Sequence, residues 1–149
     1  MDKVLVSSCL LGQPVRYDGK THTLRHPLIS QLIAQQRVVS FCPEVAGGLP
    51  IPREPAEIVE SRIVTNNGVD VSAEFARGAK LALAQCQVNN IRFALLKESS
   101  PSCGRNTIYD GTHSGRKVTG MGWTAQLLEQ NGIRVFSEEQ LPVLNKVLG

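Results

Sequence analysis

The sequence has no run approaching the roughly 18 uninterrupted apolar residues of a membrane-spanning helix, which excludes an integral helical membrane protein. Nor does it open on a leader: residues 1–8 pass directly into strand-like sequence without a signal peptide's apolar core and cleavage site, so a cytoplasmic location is expected. Basic runs are missing too. Sixteen Lys and Arg against 13 Asp and Glu leave a net charge of +3, too small a surplus for a duplex nucleic-acid binder but compatible with a small anionic ligand. There is no internal repeat or low-complexity tract, and 42% hydrophobic with 19% charged residues excludes collagen-like, coiled-coil and disordered classes. What remains is an ordinary globular chain of 149 residues, long enough to bury about 70% of its unfolded surface. It is expected to form one domain over 1–149 and to act as a monomer or small homo-oligomer.

Apolar patterning supplies the elements. Residues 3–7 read as a buried strand, and 27–36 as a helix with Pro27 in its first turn and Leu28, Ile29, Leu32 and Ile33 on one face. Val38–Phe41 is a second strand. About thirty residues rich in Gly and Pro follow, a length that tends to be functional or to hide small elements. Within it, Ile58-Val59 and Ile63-Val64 around Asn66-Asn67-Gly68 predict a hairpin-like flap. Ser72 is expected to cap a helix over Ser72–Val88, whose stripe of Phe75, Ala79, Ala82, Leu83 and Cys86 assigns Cys86 to the core. A third strand over 91–96 leads into a loop of about 25 residues, then a helix over Trp123–Gln130 stopped at Asn131-Gly132. A fourth strand over 133–136 precedes a Ser137/Gln140 capping box and a last helix carrying Leu141, Leu144 and Leu148. Strands alternating with amphipathic helices predict right-handed crossovers. The expected class is α/β: a three-layer α/β/α, Rossmann-like fold with a mostly parallel sheet of four to five strands.

In such sheets ligands bind beyond the carboxyl ends of the strands, and three of the four cysteines fall there: Cys9 after the first strand, Cys42 after the second, and Cys103 seven residues after the third. If the first strand lies between the other two, tips about 5 Å apart bring three thiolates within reach of one metal site. A reducing compartment also favours metal ligands, catalytic thiols or core residues over a disulfide framework. The bland alternative is that each is a small buried hydrophobe. The spacing matches neither a zinc-ribbon pair nor a ferredoxin run, so the convergence is conditional on the fold. Three thiolates without a fourth leave one coordination position open, as in sites built for chemistry. Zinc, or a 4Fe-4S cluster with one iron free, suits these soft ligands.

The neighbouring residues are polar and turn-forming: Ser7-Ser8-Cys9-Leu10-Leu11-Gly12, Cys42-Pro43-Glu44, and Lys97-Glu98-Ser99-Ser100-Pro101-Ser102-Cys103-Gly104. Serine hydroxyls and backbone N–H groups there are able to donate to sulfur. Glu44, two residues from Cys42, is either a proton-transfer group or a loop carboxylate paired with Arg53 or Arg16. Arg16, Arg53 and Arg105 sit in strand-end loops where they could neutralise a phosphate or a thiolate-rich cluster. Arg16-Tyr17-Asp18-Gly19 and Tyr109-Asp110-Gly111 are turn sequences first. His22, His26 and His113 match no HExxH-type spacing and are not expected as ligands. Gly47-Gly48 and Gly120-Met121-Gly122 are not GxGxxG, so a dinucleotide site is unsupported.

At these residues the chain resembles a bacterial family whose characterised members are thiouracil desulfidases. The resemblance rests on Ser8-Cys9-Leu10-Leu11-Gly12 with Val15-Arg16-Tyr17-Asp18-Gly19, on Cys42-Pro43-Glu44 with Gly47-Gly48-Leu49 and Pro52-Arg53-Glu54-Pro55-Ala56-Glu57-Ile58, on 96–104, and on Tyr109-Asp110-Gly111. It runs from Val4 to the last helix. It implies an oxygen-sensitive 4Fe-4S enzyme that removes sulfur from a thiolated pyrimidine without net redox change, giving uracil and hydrogen sulfide. It implies Cys9, Cys42 and Cys103 as ligands of three irons, with the fourth iron binding the substrate sulfur. Glu44 would be the catalytic acid/base and Ser100 a catalytic hydrogen-bonding group. Ser99 and Ser102 are neighbouring candidates for the substrate, and Arg16 and Arg53 for a phosphate. Many relatives carry an aromatic residue where this chain has His113, and some carry a second domain absent here. The expected substrate is therefore a free thiouracil base or its monophosphate rather than whole tRNA. Two other readings use the same loops: a three-thiolate zinc hydrolase of a nucleobase or amide, and a non-catalytic module sensing redox state or sulfide.

Overall fold

A computed structural model describes residues 1–20 and 23–149; His22, one of the three histidines considered above, lies outside the described residues. Four strands form a wholly parallel sheet in the order β2-β1-β5-β8: β1 Val4–Ser7, β2 Val38–Phe41, β5 Phe93–Leu96 and β8 Arg134–Ser137. Two antiparallel hairpins stand apart from it, β3 Ala56–Val59 with β4 Arg62–Thr65, and β6 Thr107–Tyr109 with β7 Lys117–Thr119.

The alternation along each strand sorts the core into two layers. Val4 and Val6 of β1, with Phe93 and Leu95 of β5, pack against Leu28, Ile29 and Leu32 of α1 (Pro27–Ala34) and Leu141 and Leu144 of α5 (Leu141–Leu148). Leu5, Ala94 and Leu96 face the other way, onto Ala82 and Cys86 of α3 (Ser72–Val88) and Ala125 and Leu128 of α4 (Trp123–Gln130). The result is the three-layer α/β/α arrangement expected from the alternation. Cys86 is core, as its stripe predicts. Among the described residues, no helix is long and apolar enough to cross a membrane.

Several local expectations are corrected. The first helix ends at Ala34, and Ile33 is exposed, because the sheet face is already filled by Leu28, Ile29 and Leu32. The flap exists, but its strands turn at Glu60-Ser61, with Glu60 at φ 55°, and Asn66-Asn67-Gly68 makes a separate turn after β4. Ser72 starts α3 without capping it. Its hydroxyl accepts from the Ile63 N–H of β4, while Asp70 Oδ1 accepts from the Ser72 N–H. The Ser137/Gln140 capping box is present, but it closes a 3-10 turn (Glu138–Gln140) ahead of α5. The loop after β5 contains the hairpin β6–β7, which periodicity did not predict.

Candidate active site

With β1 flanked by β2 and β5, the three strand tips lie side by side, and the cysteines after them line one cavity of about 380 Å³. Cys9 sits in a 3-10 turn, Ser8–Leu11, that begins where β1 ends. Cys42 precedes α2 (Pro43–Ala46), whose Pro43 occupies the first turn, where a missing N–H costs nothing. Cys103 ends a turn organised by Ser100: the Ser100 hydroxyl accepts from the N–H groups of both Ser102 and Cys103, at 3.0 and 3.1 Å. The start of α4 closes on the same turn, since its N–H groups at Trp123 and Thr124 donate to the Pro101 and Ser102 carbonyls.

All three thiols are held in the protonated direction. Burial pushes Cys9 up to about 11, with the nearby Cys42 adding to the shift and Lys97 and Arg16 opposing it. Cys42 is raised by burial, against donation from the Val45 and Glu44 N–H groups. Cys103 is driven furthest, by complete burial first, then by Glu44, with Cys42 and Cys9 adding and the Ser7 hydroxyl opposing. The sulfurs therefore feel one another across the cavity, and a cationic centre that replaces their protons would relieve both burdens. Among the described residues, no three Cys, His, Asp or Glu groups stand close enough to hold one metal ion. A single zinc, with bonds of about 2.3 Å, draws its thiolates together more tightly than a cluster, which takes each sulfur on a different iron.

Glu44, in the first turn of α2, lines the same cavity as the sulfurs. Its Oε1 accepts from Arg53 Nε at 3.3 Å, and its Oε2 from the Ser100 hydroxyl at 3.3 Å. The sequence left Glu44 as either a proton-transfer group or a paired loop carboxylate; its geometry makes it both paired and cavity-lining. Arg53 also donates from Nη1 to the Pro50 carbonyl and from Nη2 to the Val15 carbonyl, at 3.0 and 2.9 Å. Arg16 lines the cavity, is partly exposed and is only loosely paired with Asp18, at 3.7 Å.

The three serines separate cleanly. Ser100 faces Glu44. Ser99, at φ 69°, lines the cavity with its hydroxyl on Thr107 Oγ1 at 2.9 Å. Ser102 turns away and shares a 2.7 Å hydrogen bond with Thr124 Oγ1 of α4, inside the core. Arg105 is also absent from the cavity wall, since its Nε serves the Val135 carbonyl and Glu129. His26 caps α1 by accepting from the Leu28 N–H, and His113 pairs with Glu57 at 3.6 Å.

Sequence reasoning passed over several residues that build this site. Glu98 collects the turn after β5. Glu57 pins the tip of β6–β7 by accepting from Gly111 and His113 N–H groups at 2.9 and 3.2 Å. Tyr109 and Lys117, with Lys117 Nζ 5.6 Å from the Tyr109 ring centre, line the end of the cavity formed by that hairpin. The available signal was an acidic residue, Glu98, two positions beyond the apolar strand 93–96.

The family model described as 2-thiouracil desulfurase matches residues 4–140. Among curated proteins, the uncharacterized protein YbbK of Bacillus subtilis (strain 168) is 45% identical over 148 residues, covering 93% of this chain and 97% of that protein. A solved structure, that of the 4Fe-4S-dependent thiouracil desulfidase TudS, is 54% identical and superposes with a TM-score of 0.98 over 99% of this chain and 98% of its own.

Proposed function

This chain belongs to the 2-thiouracil desulfurase family, and from that premise we propose that it is an enzyme removing sulfur from a thiolated pyrimidine, with a 4Fe-4S cluster carried by Cys9, Cys42 and Cys103. The carrying observation is the convergence of three thiols, each from the tip of a neighbouring parallel strand, on one cavity that the Glu44–Ser100 pair also lines. The donor set suits that group: soft thiolates, spread around a cavity rather than drawn onto one ion, with no fourth thiol at hand. All four cysteines are free, in keeping with a reducing cytoplasm.

The overall change is hydrolytic. The oxygen of water becomes the carbonyl oxygen of uracil, the carbon–sulfur bond breaks, and sulfur leaves as hydrogen sulfide with the two protons of water and no net electron transfer. When bound, the cluster would supply a Lewis-acidic iron for the substrate sulfur, making the adjacent carbon a better electrophile. Glu44 takes the proton of the attacking water and returns it to the departing sulfur. Ser100, whose hydroxyl donates to Glu44 Oε2, steers that carboxylate, and turns its one proton to the substrate or the departing sulfur only in exchange for that bond. Arg53 acts through Glu44, pinning Oε1 while its Nη1 and Nη2 anchor on the Pro50 and Val15 carbonyls. Ser99 shapes the wall beside them. Arg16, only loosely paired with Asp18, is a cation for the phosphate of a nucleotide substrate, and a bare base needs none.

Anaerobic reconstitution with iron and sulfide is expected to give a brown protein that converts 4-thiouracil to uracil. Cys42→Ala should abolish turnover, and Glu44→Gln should lower it about 10²- to 10⁴-fold, the usual contribution of a positioned acid/base. Zinc without iron after anaerobic purification would favour the zinc hydrolase instead. A loaded protein that consumes no thiopyrimidine would favour the sensing module.

A further inference from the structure

Ser7 is the last residue of β1, in the middle of the sheet, and is 3% exposed. Its hydroxyl lies between two partners from the far half of the chain. The Lys97 N–H, just beyond β5, donates to Ser7 Oγ at 3.0 Å. The Cys103 sulfur lies 3.6 Å from the same oxygen, on its donating side. The two contacts are complementary. A hydroxyl has one proton to give, and an incoming amide N–H occupies a lone pair and fixes the rotor, which leaves the O–H aimed at sulfur. Cys103 is itself buried, so no bulk water competes for that bond. Its neighbours differ: Cys42 receives backbone N–H groups of its own helix start.

We infer that Ser7 is a positioning residue for the metal cluster: its hydroxyl donates to the Cys103 sulfur, withdraws charge from that ligand, and raises the midpoint potential of the bound cluster. The inference rests on the reading of Cys103 as an iron ligand. The physical argument is general. Reduction adds negative charge that spreads onto the ligating sulfurs, and a hydrogen bond to such a sulfur stabilises the more negative state. Within a buried site the effect is not diluted by solvent. Ser7 also ties the β1 tip to the β5 tip through Lys97, so the strand leading into the Cys9 turn and the loop carrying Cys103 share one buried hydroxyl.

The test compares reconstituted wild type, Ser7→Ala, Ser7→Cys and Ser7→Thr by mediator-controlled redox titration followed by electron paramagnetic resonance, and by resonance Raman spectroscopy in H₂O and D₂O. An iron–sulfur(Cys) stretch of the wild type should shift on deuteration, and the shift should vanish in Ser7→Ala. The midpoint potential should fall in Ser7→Ala, lie between in Ser7→Cys with its weak donor, and return toward wild type in Ser7→Thr. A merely structural role at the Lys97 amide would lower the melting temperature without moving these signatures. Ser7→Ala carrying a full cluster at the wild-type potential, with deuterium sensitivity unchanged, overturns the inference and leaves the proposed activity standing. If Ser7→Ala does not load, wild-type stretches indifferent to deuterium overturn it equally, and a deuterium-sensitive stretch that weakens in Ser7→Cys supports it. A wild type that forms no 4Fe-4S cluster at all removes both.

Discussion

Glu98 is 4% exposed, and its carboxylate collects most of the turn that carries Ser100 and Cys103. Its Oε1 accepts from the N–H groups of Ser99, Arg105, Asn106 and Thr107 at 2.8 to 3.2 Å, and its Oε2 from Asn106 Nδ2 at 2.8 Å. Burial by itself would raise its pKa, but the donors from Asn106, Thr107 and Ser99 together outweigh burial and hold it below the ordinary 4.5. The sign of the stability effect follows. A carboxylate whose folded pKa is depressed contributes fully above the unfolded value, and the contribution fades as pH falls toward and through the folded one. Glu98→Gln keeps one oxygen for the turn's N–H groups but removes the charge and sets an NH₂ against Asn106 Nδ2, so it should cost about 1.5–3 kcal/mol at pH 7, the range for a charge-assisted hydrogen bond. Urea denaturation at pH 7 and at progressively lower pH should show the wild-type advantage shrinking with acid; an advantage that does not change with pH would count against it. None of this was readable beforehand, because a sequence locates Glu98 beside Ser99 and Ser100 but does not aim side chains. The same limit kept Ser99, Ser100 and Ser102 equivalent until their partners separated them.

At the scale of elements, the site depends on how closely α2 approaches α3. A methyl group added at Gly78 of α3 would fall on the Pro43 carbonyl oxygen, and one at Gly47 on the Glu74 carbonyl oxygen. The two backbones touch because both positions lack a Cβ, and that contact fixes where Cys42 and Glu44 point. Gly78→Ala, despite alanine's better helix propensity, should therefore destabilise the protein by about 1–3 kcal/mol, as overpacking does. It should also lower iron loading and turnover by displacing α2, with Lys80→Ala on the exposed face of α3 as the unaffected control. Measured iron per chain beside the melting temperature checks it. Elements of strong period were legible in the sequence. Val38–Phe41, Ser72–Val88 and Trp123–Gln130 form as the patterning predicts, because each sets apolar side chains against the core. The hairpin β6–β7 was not legible, since its strands are three residues long and Lys117–Thr119 is exposed throughout. The turn of β3–β4 was misplaced because Asn66-Asn67-Gly68 carries the stronger local signal, while Glu60-Ser61 is chosen by the register that buries Ile63 against Val71 and Phe75.

For the molecule as a whole, the question is whether the cluster holds the fold or the fold holds the cluster. Both core layers are complete without any inorganic guest: Val4, Leu5, Leu95 and Leu96 are fully buried between helices that make no use of the cavity. Cys9 and Cys103 belong to core and cavity alike, one on each side of the sheet, which is why the strand tips were a legible place to look even though 33 and 61 residues separate the thiols in sequence. A sheet with its own core should survive loss of metal, unlike small metal-nucleated domains that unfold without it. Protein prepared in air is therefore expected to be colourless yet folded, with a cooperative urea transition and the same far-ultraviolet circular dichroism as the loaded form. Loading should slow amide exchange chiefly in 42–58 and 97–122, the segments that wrap the cavity, while β1 and β5 exchange only through global unfolding in both forms. Binding to the native state also raises global stability in proportion to the cluster's affinity. An apo-protein lacking a cooperative transition would reverse the order of cause, making the cluster the organiser of the sheet rather than its guest.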